Sequence, residues 1–202
     1  FAPGPFTLSD QCCRAIQSFS KLRSFSSTTC VLNAESFGIL GDLPCLESLG
    51  IRGSESDTED PALDERFSIP ENQFRKLIEL RLYDLHPQDI KLLWGQPSVV
   101  KKLGFALIQT DPSRASDLYG GLMDGNNWIE YFLMALLNLS PHLRGLIFDV
   151  GDEDEAKYEI SEDTLNALDG LHKLVLKNLK IKLGDTYGVD EELESEAYDN
   201  GD

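Results

Sequence analysis

The side chains best suited to acid–base, metal or redox chemistry are His86, His142 and His172, the cysteines Cys12, Cys13, Cys30 and Cys45, and an acidic run from Asp149 to Glu155. No two histidines share a metal-binding spacing, and neither a Gly-x-Ser-x-Gly turn nor a phosphate-cradling glycine loop occurs. The acidic run lacks the glycine of a calcium loop, and Ile160 stands where the terminal bidentate glutamate belongs, so it reads as a solvated turn. The cysteines include an adjacent pair and have no two-residue metal or redox spacing, which suggests buried thiols in a reducing compartment, cytoplasmic or nuclear. The expectation is a protein with no catalytic residues, no metal and no cofactor. A hydrolase with its site in the acidic loops is the remote alternative.

Charge narrows the partners. The 202 residues carry 18 Lys and Arg against 35 Asp and Glu, a formal charge of −17, which disfavours nucleic acid and anionic membranes as partners. The longest apolar stretch, Trp128 to Leu139, contains Glu130 and Asn138 and is too short to span a bilayer. No charged-then-apolar leader opens the sequence, although a chain starting at Phe1 is expected to have had more sequence upstream.

The elements that must carry any binding residues recur. The pattern Leu-x-x-Leu-x-Leu, with apolar substitutes, runs as Leu46, Leu49, Ile51; Leu77, Leu80, Leu82; Val100, Leu103, Phe105; Leu143, Leu146, Phe148; and Leu171, Leu174, Leu176. A weaker copy comes first, at Leu22, Phe25 and Ser27, with Cys30 three residues on, where later copies have Leu85, Ile108 and Leu179. The middle positions Phe25, Leu49, Leu80, Leu103, Leu146 and Leu174 are spaced by 24, 31, 23, 43 and 28 residues. Within each copy the last two apolar residues alternate with polar or small ones, as in a short strand with one buried side. Helices are expected over Ser9–Phe19, Asn33–Leu40, Gln88–Trp94 and Asn126–Leu139, with a single turn at Gln73–Leu77 and a last helix opening at Ser161 and ending before Gly170. Polar insertions, 53–68 and 109–125, lengthen two intervals, and residues 184–202 form an acidic tail without Lys or Arg that is not expected to pack.

These copies resemble a leucine-rich repeat array of the irregular strand–helix kind over about residues 20 to 182. The resemblance implies an α/β fold: a solenoid of about six irregular repeats over residues 1–183, with helix 9–19 as its cap, a parallel sheet on the concave side and helices outside. The long irregular repeats, Cys30 after the first strand and the acidic insertions are similar to the repeat regions of fungal F-box proteins. That resemblance implies the substrate-binding part of a ubiquitin-ligase receptor. Phe1 to Ser20 carry no F-box pattern, so a ligase adaptor would be reached only through a module outside this sequence. A general scaffold or an immune-receptor-type repeat region without a ligase link is the alternative.

Strand residues facing away from the core are the candidate binding surface: Arg52, Glu79, Arg81, Tyr83, Lys102, Ile147, Asp149, Lys173, Val175 and Lys177, among small neighbours such as Ser48, Gly104 and Ala106. Five of those residues are basic and two acidic, so the face is expected to be net positive and to bind an acidic or phosphorylated protein segment. Arg52 and Arg81 would be the carboxylate or phosphate donors and Tyr83 the aromatic anchor.

Overall fold

The computed structural model describes residues 10–53, 61–111, 113–114, 128–150, 158–177 and 179–182. The acidic tail 184–202, most of the insertions and the acidic turn 151–157 lie outside the described residues. Six five-residue strands, β1 (Ser24–Thr28), β2 (Ser48–Arg52), β3 (Glu79–Tyr83), β4 (Phe105–Gln109), β5 (Gly145–Asp149) and β7 (Lys173–Lys177), form one parallel sheet in the order β1-β2-β3-β4-β5-β7. Two further strands, β6 (Tyr158–Ser161) and β8 (Leu179–Lys182), pair in parallel by themselves.

Pairing in the main sheet is in register, so equivalent residues stand in rows across it. One buried row runs Leu49, Leu80, Ala106, Leu146 and the next Ile51, Leu82, Ile108, Phe148, all nearly inaccessible. At the last strand the row opens, and Leu174 is 36% exposed. The fourth copy differs from expectation by three residues. Its strand anchor is Ala106, preceded by the buried Leu103, and not the Val100-Leu103-Phe105 set; Ile108 is inside the strand instead of after it. With Ala106 as anchor the two flanking intervals become 26 and 40 residues, closer to their neighbours than 23 and 43.

The helices are α1 (Asp10–Gln17), α2 (Ala34–Gly41), α3 (Pro87–Trp94), the short α4 (Pro97–Val100), α5 (Trp128–Leu139) and α6 (Glu162–Ala167). No helix forms at Gln73–Leu77, which is a series of turns. Capping residues fix the starts: Asn33 accepts the Ser36 N–H at 2.9 Å, His86 Nδ1 accepts the Gln88 N–H at 3.1 Å with Pro87 following, and Ser161 Oγ accepts the Thr164 N–H at 3.3 Å. Phe37 and Leu40 of α2, Ile90, Leu93 and Trp94 of α3, and Ile129, Leu133 and Leu136 of α5 join the strand rows in one core. The helices therefore cover one face of the sheet. None among the described residues is long and apolar enough to cross a membrane.

The insertion expected as a polar loop over 53–68 is packed in its described second half. Leu63, and Ile69 just after the insertion, are buried, and the Phe67 ring meets Phe37 edge-on at 5.6 Å. Two side chains of the following unit hold it: Asp89, 2% exposed, accepts the N–H groups of Ala62 and Leu63 at 3.0 and 2.8 Å, and Gln96 accepts from Ile69 N and donates to Phe67 O. A buried carboxylate receiving two backbone donors leaves both orphaned when removed. Asp89→Ala is expected to cost about 2–3 kcal/mol in chemical denaturation, with Asp89→Asn milder because one acceptor remains. Protection from amide exchange at Leu63 should fall in both.

Of the four thiols only Cys13 is buried; Cys12 is exposed, Cys30 and Cys45 are half-buried, and all are free. The expectation of uniformly buried thiols is corrected accordingly. Cys30 accepts from the Thr28 hydroxyl at 3.2 Å, and Cys45 faces the Lys76 ammonium at 3.9 Å, so both sit where the chain turns beside a strand end.

Candidate binding face

The uncovered face of the sheet has three rows of side chains, set by the strand alternation. The first runs Ser24, Ser48, Glu79, Phe105, Gly145, Lys173; the middle Ser26, Gly50, Arg81, Leu107, Ile147, Val175; the third Thr28, Arg52, Tyr83, Gln109, Asp149, Lys177. Chemistry changes along the sheet. Strands β1 and β2 offer hydroxyls, a glycine and Arg52, β3 offers charge and a phenol, and β4, β5 and β7 offer Phe105, Leu107, Ile147 and Val175, all partly exposed, flanked by Gln109, Asp149, Lys173 and Lys177.

Nine of the ten expected face residues lie on this face. Lys102 does not: the three-residue shift in the fourth copy places it before β4, where its ammonium donates to the Arg75 carbonyl at 3.0 Å. Gly104 likewise precedes the strand, and Ala106 is in the core. The positions they were expected to fill belong to Phe105, Leu107 and Gln109, of which the sequence pattern had assigned Phe105 to the core side and the others to neither. Gly145 is needed beside Phe105, because a Cβ there would stand 2.8 Å from the Phe105 ring. The ring lies across that gap, and the Lys173 ammonium sits 5.8 Å from its centroid.

The cations of the face are engaged within the fold. Arg52 Nη1 meets Asp84 Oδ2 at 3.1 Å, and its guanidinium lies 4.6 Å from the Tyr83 ring centroid. Arg81 donates twice to one oxygen of Glu79, at 2.7 and 3.0 Å, and Lys177 lies 3.6 Å from Asp149. Asp149 is only 8% exposed. The expected surplus of positive charge is therefore largely answered by Glu79, Asp84 and Asp149, two of which the same rows supply. Among the described residues no cluster of three His, Cys, Asp or Glu forms a metal-binding group.

Glu79 shows the pairing in its titration. Burial works against its charged form, but hydrogen bonds from the Ser48 hydroxyl and Arg81, with the Arg81 charge, outweigh burial and hold its pKa below the ordinary 4.5. A carboxyl depressed in the folded state adds stability that is complete above its ordinary pKa and is lost as pH falls through the lowered folded value. A titration followed by NMR at the Glu79 carboxyl carbon should give a midpoint below 4.5, and Arg81→Ala should move it upward.

Positive charge is instead concentrated along the strand-entry edge of the sheet. The four residues before each strand of the main sheet include Lys21, Arg23, Arg75, Lys76, Lys101, Lys102 and Arg144 against Glu47 and Asp169. Among the described residues just after these strands, Asp84 and Asp111 are acidic. A chain of net charge −17 thus has a basic strand-entry edge.

Together these features define an α/β protein whose six-stranded parallel sheet is covered by helices on one face and graded from polar to apolar on the other. No known protein-family model matches the chain, and no curated protein is significantly similar to it.

Proposed function

We propose that this chain is a protein-recognition module that takes a client segment on the uncovered face of its main sheet. The observation that carries the reading is the contiguous set Phe105, Leu107, Ile147 and Val175, partly exposed on three adjacent strands and bordered by Arg81, Tyr83 and Lys173. An apolar centre with an aromatic and charged rim is the composition of an interface. A client would gain affinity by covering the apolar rows and orientation by meeting the Arg81–Glu79 and Arg52–Tyr83 pairs, both of which can rearrange at the surface. In-order parallel strands paired residue for residue support the further reading of the chain as a leucine-rich repeat solenoid. The repeat resemblance extends it to the substrate-binding part of an F-box-type ubiquitin-ligase receptor, by analogy of fold.

The test is a pull-down from the native cells with the parent protein, this chain and its Ile147→Asp variant side by side. Both the parent and this chain should enrich the same client, and the variant should lose it at least tenfold while keeping its far-UV circular dichroism. A ligase adaptor should appear with the parent alone. Retention of the client by Ile147→Asp would remove the face from the proposal, and a parent that brings no adaptor would leave a general binding scaffold.

A further inference from the structure

The cations of the strand-entry edge, unlike those of the face, are not answered inside the fold. The ion pairs among the described residues take up Arg23, Arg52, Arg81 and Lys177. Arg75, Lys76, Lys102 and Arg144 are exposed and meet neutral groups: backbone carbonyls for Arg75, Lys102 and Arg144, and the Cys45 sulfur for Lys76. They gather where the apolar rows begin. Gly104 N and Phe105 N both donate to Ile78 O, Arg144 N donates to Gly104 O, and Ile78 is 53% exposed. The surface is therefore continuous, basic at the entry end and apolar along β4, β5 and β7.

The last segment of the chain carries the complementary chemistry in the matching order. After Lys182 come Tyr187 and Val189, then Asp190, Glu191, Glu192, Glu194 and Glu196, and residues 184–202 hold eight acids with no Lys or Arg. The chain leaves β7 at its exit end and reaches this segment after β8, so a return toward the entry edge crosses the apolar rows before it meets the cations. From Lys182 to Glu196 the chain can reach about 46 Å, whereas a five-residue strand is about 17 Å long. Asp84 and Asp149 at the exit ends of the strands disfavour acids placed there.

We propose that residues 184–202 dock on the uncovered face, with Tyr187 and Val189 over the apolar rows and the acids 190–196 on the entry-edge cations, and so compete with the client. The inference deepens the client-binding proposal and rests on it. Exposed ion pairs contribute little one by one, but attachment to the same chain gives an effective concentration on the order of millimolar. A weak intrinsic contact is then enough to cover the face, and a tighter client displaces it. Attraction between exposed charges also makes the docking sensitive to salt.

The test treats the full chain with a water-soluble carbodiimide, which joins carboxylates to amines in direct contact, at about 20 mM and about 500 mM salt. Mass spectrometry should find links from Asp190–Glu196 to Lys76, Lys101 or Lys102 at low salt and at least fivefold fewer at high salt. They should lie within single chains when isotopically light and heavy chains are mixed. Arg75→Gln with Arg144→Gln, which leaves every lysine in place, should reduce the links at least threefold, as should Leu107→Asp. Should the double variant fail to fold, Arg144→Gln alone, at an exposed position, should reduce them about twofold. Links confined to Lys177, Lys180 and Lys182, links between chains, or a yield insensitive to salt overturn the docking. A full chain with the acids of 190–196 changed to amides should capture at least threefold more client, and unchanged capture overturns the competition. The links are read without a client, so the two proposals fail separately: Ile147→Asp that keeps its client overturns the client face, and absent links to the entry lysines overturn the docking.

Discussion

Gly53→Ala is expected to destabilise the protein by about 3 kcal/mol, at the upper end of what overpacking costs, because the added Cβ would stand 1.9 Å from the Asp84 carbonyl oxygen. Backbone, not a side-chain tip, occupies that space, so rotamer changes give no relief. Asp84 is also unable to retreat. Its φ of 52° is a left-handed conformation, tolerated by aspartate better than by most residues. Its carboxylate is tied on both sides, accepting the Asp111 N–H at 2.7 Å and meeting Arg52 at 3.1 Å. Its own N–H donates to Gln109 O, and Gly53 N–H donates to Tyr83 O. One residue after β3 thus stitches the exit ends of β2, β3 and β4 together, and the glycine is what lets the stitch lie flat. Urea denaturation of Gly53→Ala should show a lower midpoint at an unchanged slope. A loss below 1 kcal/mol would mean that the ends of β2 and β3 part easily, against the hydrogen bonds that join them.

The repeat of Leu-x-x-Leu-x-Leu made most of the strands legible, since a buried row at period two needs little beyond apolar alternation. It misled at one strand, and the reason is local. Val100, Leu103 and Phe105 match the pattern better than Leu103, Ala106 and Ile108, because Ala106 is the smallest side chain in its row and Phe105 is a large apolar residue on the opposite face. Neighbour pairing decides the register, with Leu80 against Ala106 and Leu82 against Ile108, and pairing is invisible in one sequence. The slip carried Lys102 onto the face, put Phe105 in the core and left Leu107 unassigned, which turned an apolar patch into an apparently basic strip. Arg52 posed a second difficulty. Its partner Asp84 is 32 positions away, so no local charge pattern reveals that the guanidinium is already engaged. The basic entry edge, by contrast, was readable as Lys or Arg flanking the first Leu of a copy, at Lys21, Arg23, Lys76, Lys102 and Arg144. Its meaning depends on knowing that those positions line one edge of a single sheet.

Phe148→Ala is expected to cost about 3–5 kcal/mol, although its neighbour Ile147 can be changed to Asp for about 1 kcal/mol or less. Phe148 is 0% exposed and lies on the helix side of β5. Its ring stacks with Phe132 at 6.0 Å and meets Trp128 at 6.4 Å, and Phe132 in turn stands edge-on to Trp94 at 5.2 Å. Truncation therefore removes more than buried area, because α3 and α5 are both keyed to the sheet through this one chain of rings. Neither helix can slide in to fill the gap without losing its own contacts: Leu93 and Ile90 of α3, Leu133 and Leu136 of α5 are already fully packed. Phe148→Leu, which restores most of the volume without the ring contacts, should recover more than half of the loss. Ile147 points the other way, into the proposed client face, so the charge introduced there meets solvent rather than core. Denaturation midpoints and client capture should then separate the two residues: Phe148→Ala unstable and, where folded, still able to bind; Ile147→Asp stable and unable to bind. The reverse outcome at either residue would show that the two faces of β5 are not divided between holding the fold and recognising a partner.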